Sequence, residues 1–63
     1  MRIEKYVPYT GSGVSTWDVF SRVRESRPHD EMEVSDVDEA LRIAAGDGKV
    51  KRIGCYWWRN LDF

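Results

Sequence analysis

Apolar residues recur along this chain with two different periods, and the change from one to the other falls at a pair of glycines. Val37, Ala40, Leu41 and Ala44 stand at i, i+3, i+4 and i+7, the spacing that puts side chains on one face of a helix. Ser35 lies just ahead of them and is a good N-cap, because its hydroxyl can accept from a first-turn N–H with no partner inside the helix. With Asp38 it approximates a capping box, and Asp36, Asp38 and Glu39 suit the positive end of the helix dipole. Gly46 and Gly48, with Asp47 between them, predict a helix stop near Ala45. Beyond the stop, Lys49 to Ile53 and Tyr56 to Asn60 are rich in β-branched and aromatic residues, and Gly54 with Cys55 can form the short loop of a hairpin.

The first half of the chain carries a second helical stripe. Trp17, Phe20 and Val23 recur every third residue with Val19 on their flank, and Asp18 and Arg22 form an i, i+4 pair on the outer side. Trp17 is therefore expected in the core. Ser15 or Thr16 caps this helix, Ser15 with Asp18 has the spacing of a capping box, and Pro28 predicts an end near Ser26 because it disfavours a helical Arg27. Pro28 can also open a short second helix, Pro28 to Met32, followed by a turn or minimal strand at Glu33 to Ser35. Met1 to Val7 reads as a short strand with Ile3, Lys5 and Val7 on one side, ended by Pro8 and followed by a glycine- and serine-rich turn, Tyr9 to Val14. Ile3, Tyr6, Val7 and Tyr9 are apolar enough to dock this arm against the body; undocked, the aromatic pair is an exposed contact segment. Leu61 to Phe63 is expected to close over the sheet edge or fray.

These elements predict one α+β domain: an arm at 1–14, a helical part at 15–46 and a β-hairpin at 49–60. From the helix onward the chain resembles a winged helix-turn-helix, on Leu41, Gly48, Lys49, Val50, Arg52, Gly54, Tyr56, Trp57 or Trp58, and Arg59. The resemblance implies two or three helices followed by a C-terminal wing, with Pro28 to Met32 as the first helix of the helix-turn-helix and the helix after it as the recognition helix. It also implies duplex DNA as partner, with wing residues Lys49, Lys51, Arg52 and Arg59 on phosphates and Arg42 reaching a base edge or a phosphate. Small phage or plasmid regulators and excisionase-like architectural factors have this size and layout.

Composition adds a constraint that works against simple DNA docking. Net charge is −1, and the charges are segregated: six acidic residues and no Lys or Arg lie from Asp30 to Glu39, but five basic residues and one acid from Arg42 to Arg59. In the layout that the resemblance implies, Asp36, Asp38 and Glu39 sit on the helix end that leads into a DNA groove, where phosphates repel them. The alternative is a protein-binding module or inhibitor that occludes a partner, presenting Asp36, Asp38 and Glu39 to a basic surface, or Tyr56, Trp57 and Trp58 to an apolar one. Three consecutive aromatics on a strand cannot all face inward, so at least one is expected at the surface or under the arm.

Little chemistry is available. The lone His29 lies among carboxylates and reads as a solvated side chain, and the lone Cys55 excludes an intrachain disulfide or a cysteine-based zinc cluster. No nucleophile with a base, phosphate-cradling loop or calcium-loop spacing is visible, so neither an enzyme, a cofactor nor a metal site is expected. The sequence contains neither a membrane-length apolar run nor a signal-peptide core, which predicts a cytoplasmic protein. A chain of 63 residues buries only about 60% of its unfolded surface, which leaves a stabilising homodimer open.

Overall fold

The computed structural model describes residues 2–61. It is an α+β domain: α1 (Thr16–Ser26) and α2 (Val34–Gly46) are followed by an antiparallel hairpin of β1 (Val50–Ile53) and β2 (Tyr56–Arg59), a layout compatible with a winged helix. Between α1 and α2 the chain turns without forming a helix. The expected helix at Pro28 to Met32 is replaced by Asp30 N–H and Met32 N–H bonds back to the Arg27 and Asp30 carbonyls, and by an Arg27–Asp30 ion pair at 3.5 Å. Five residues cannot repay the nucleation of a helix unless tertiary packing does so, and only Met32 among them packs against the core.

The arm also differs from its sequence pattern. Ile3–Tyr6 is a single 3-10 turn rather than a strand, with the Val7 N–H bonded to the Glu4 carbonyl at 3.1 Å. The turn points Ile3 and Val7 together into the core and leaves Lys5 in solvent, which strand alternation would have buried with them. The arm is ordered and lies against both helices.

Ser15 caps α1 as expected: its hydroxyl accepts from the Asp18 N–H at 3.2 Å, and the Asp18 carboxylate accepts from the Ser15 N–H at 3.0 Å. The buried face is Val19 and Val23, however, and Trp17 is 64% exposed. At about 100° per residue, each step of three falls about 60° short of a full turn, so a stripe read by threes drifts, and Trp17 ends up about 120° from Val23. The i, i+4 pair sets the inner face. In α2 the start moves two residues forward: Glu33 takes the cap position, Asp36 accepts from its N–H at 2.9 Å, and Ser35 lies inside the first turn instead of capping it. Val37, Leu41 and Ala44 are buried as their spacing requires, and Ala40 packs beside them.

The hairpin pairs Val50 with Arg59, Lys51 with Trp58, Arg52 with Trp57 and Ile53 with Tyr56. Gly54 has φ +63° while Cys55 stays at negative φ, the pattern of a type II′ loop, whose twist matches that of the strands. On the far edge of β2 the arm supplies cover. Val14 and Trp57 exchange backbone bonds of 3.2 and 2.7 Å, and the Arg59 N–H donates to the Pro8 carbonyl at 2.7 Å. The core is Ile3, Val7, Val14, Val19, Val23, Val37, Leu41, Ala44, Val50 and Trp57. Burial of the Trp57 indole is made possible by its N–H bond to the Thr16 hydroxyl at 3.1 Å. No helix among the described residues is long and apolar enough to cross a membrane.

Candidate functional site

Strand alternation divides the residues of the hairpin between two faces, because cross-strand partners share a face and neighbours do not. Val50, Arg52, Trp57 and Arg59 lie on the side of the helices; Lys51, Ile53, Tyr56 and Trp58 lie on the outer side. Trp57 is thereby 2% exposed, so of the three aromatics proposed for an interface it is the one that forms core. Tyr56 is 48% and its partner Ile53 62% exposed. Trp58 is half-buried: its indole N–H donates to the Gly11 carbonyl at 3.0 Å, its ring meets Tyr56 edge-on at 6.4 Å, and the arm passes over it at Gly13.

The five basic residues expected on DNA occupy five different settings. Lys51 is exposed on the outer face, and Arg52 is exposed on the inner rim with its guanidinium 5.8 Å from the Trp57 ring centroid. Lys49 is half-buried just before β1. Arg59 holds the arm, donating from Nε to the Val7 carbonyl at 3.1 Å and lying 4.1 Å from the centre of the Tyr9 ring. Arg42, on the solvent side of α2, is paired with Asp38 at 2.9 Å. Asp38 in turn accepts from the Thr16 hydroxyl at 3.4 Å, Asp36 is engaged in the α2 cap, and Glu39 is exposed. Grouped from Arg42 to Arg59 in the sequence, the five cations are divided between α2, the position just before β1 and the two faces of the hairpin.

A cleft of about 290 Å³ opens between the start of α1 and the turn of the hairpin. Ser15, Thr16 and Trp17 line it from α1, Arg52 and Cys55 from the hairpin, and Trp57 from below. The conjunction of Trp17 with Arg52 has no signal in the sequence, since only the packing of the hairpin on α1 brings the two elements together. Beside the cleft, the Asp18 carboxyl is held below the ordinary value of 3.8, first by the Ser15 backbone N–H, then by the Ser15 hydroxyl, and less by the charge of Arg22. Cys55 is a free, exposed thiol. His29 is exposed in the turn between the helices, and among the described residues no group of three or more His, Cys, Asp or Glu side chains is placed to hold a metal ion.

No protein family, no curated protein and no solved structure matches this chain, so its assignment rests on the geometry of the hairpin and the cleft.

Proposed function

We propose that this domain binds nucleic acid through its hairpin, with Lys49, Lys51 and Arg52 on phosphates and the exposed aromatic side chains on bases. The observation that supports this most is the placement of exposed Lys51 and Arg52 on β1 beside the exposed Tyr56 on β2, in a stretch from Lys49 to Asn60 with no acidic residue. Cations that neutralise phosphates supply affinity, and aromatic rings beside them accept bases without regard to sequence. In this reading α2 stays out of the groove. Its exposed start carries Asp36 and Glu39, its Arg42 is engaged by Asp38, and the short helix expected at Pro28 to Met32 does not form ahead of it. The exposed free thiol of Cys55 suits a reducing, cytoplasmic setting.

The test is a titration of the full chain with random-sequence duplex and with single strands of equal length, at several salt concentrations. Three engaged cations give a log–log salt slope of about −2 on a single strand and about −2.7 on a duplex. Lys51→Glu with Arg52→Glu abolishes binding. Failure of both nucleic acids to bind at low salt retires the reading.

A protein partner is the second reading, and the exposed Ile53–Tyr56 pair favours it, since adjacent large apolar side chains on an open face are typical interface anchors. Such a complex is lost with Ile53→Asp and varies little with salt, the opposite of the response expected for phosphates.

A further inference from the structure

We propose that the cleft between the start of α1 and the turn of the hairpin is the site of a single nucleotide unit, its base laid on Trp17 and its phosphate on Arg52. The inference rests on the nucleic-acid reading above and names the ligand that the cleft takes. Trp17 is the most exposed aromatic side chain among the described residues, at 64%. It meets Phe20 edge-on, rings 5.8 Å apart at 88°, which leaves at least one indole face uncovered by Phe20. A large aromatic side chain with an open ring face in water is a stacking platform rather than core.

Arg52 supplies the anion contact. Its guanidinium is positioned beside the Trp57 ring, and among the described residues no carboxylate pairs with it. The cleft's 290 Å³ lies just below the roughly 300–1,000 Å³ of small-molecule sites, room for one ring system rather than a larger ligand. A flat ring and an anionic group joined at short reach describe a nucleotide. The unit can be a free nucleotide or one residue of an unpaired strand, and both present the same chemistry.

The test uses the full chain, with backbone and indole NMR shifts read against AMP, adenosine, inorganic phosphate and a short oligoadenylate strand. AMP is expected to shift the signals of Trp17, Arg52 and Cys55 saturably, with adenosine and phosphate each at least about tenfold weaker because each makes half of the contacts. Trp17→Ala weakens AMP about 5- to 150-fold, the range of one base stacked on one aromatic ring. Arg52→Gln weakens AMP and removes most of its salt dependence. Both side chains are exposed, so both variants keep a cooperative thermal transition, only slightly displaced from the parent's. A strand that binds more tightly than AMP supports an unpaired strand as the source, and equal binding supports a free nucleotide. The inference is overturned if AMP leaves these signals unmoved while the strand still binds, an outcome that spares the hairpin reading. Phosphate binding as well as AMP, or Trp17→Ala binding AMP as well as the parent, overturns it too. Failure of every nucleic-acid probe overturns both.

Discussion

Exchanging each of two tryptophans for alanine separates the observed core from the one that the helical stripe predicts. Trp57→Ala removes a side chain that is 2% exposed, leaves a large cavity between the hairpin and α1, and strips the Thr16 hydroxyl of its indole partner. Large-to-small changes of this kind cost about 3–5 kcal/mol. At roughly 0.05–0.15 kcal/mol per residue, the 63 residues hold about 3–9 kcal/mol in total, so the variant loses between about a third and all of the domain's stability. Trp17→Ala removes a side chain that is mostly in water and loses chiefly its edge contact with Phe20, worth about 0.5–1.5 kcal/mol. For a domain of this size 1 kcal/mol moves the melting temperature by about 4–8 °C. Urea titration followed by far-UV circular dichroism, with a thermal melt beside it, reads both. The expected pair is a cooperative transition slightly displaced for Trp17→Ala and a lost or much weakened one for Trp57→Ala. A cooperative, parent-like melt for Trp57→Ala, or unfolding by Trp17→Ala, refutes the inner face assigned to α1 and β2.

Gly13→Ala tests the docking of the arm: at φ +78° a Cβ stands 2.8 Å from the Trp58 ring, so the variant should lose about 1–3 kcal/mol in a urea melt and Trp58 fluorescence should shift as the ring is displaced. Asp18 links stability to pH: its folded pKa is lowered, so its stabilisation is present above the ordinary value of 3.8 and is lost as pH falls through the lower folded value. Acid melts of Asp18→Asn should therefore lack the part of the decline that the parent shows below about pH 4, and a carboxyl NMR titration should place the Asp18 midpoint under 3.8. Arg42→Ala breaks an exposed i, i+4 pair and should change stability by no more than about 0.5 kcal/mol; a larger loss in the same melt would show that the Asp38 network carries more of the fold than its exposure implies.

The elements whose physics is local were legible in the residues. The Ser15–Asp18 cap, the glycine stop after α2, the buried run Val37, Leu41 and Ala44, and the Gly54–Cys55 loop each depend on contacts within a few positions of the chain, and each is found where the residues put it. The departures occurred where tertiary contacts compete with local pattern. Which of Trp17 and Val19 faces inward depends on what α1 meets, and the hairpin meets it with Trp57. Ile3 and Val7 form a turn because α2 and α1 offer them a shared recess; the alternation that predicted a strand had no partner strand to satisfy.

The same division holds for the candidate site. The sequence by itself determined that basic and aromatic residues are interleaved on one hairpin, since Lys51, Arg52, Tyr56 and Trp58 belong to strands that two glycines and a II′ loop specify locally. Only the tertiary structure decided which of them face solvent. Alternation sends Lys51 and Arg52 to opposite faces, the arm claims Arg59 and covers Trp58, and the core takes Trp57. It alone also brought Trp17 to Arg52, because two residues far apart in the chain share a cleft only once the hairpin has folded onto α1.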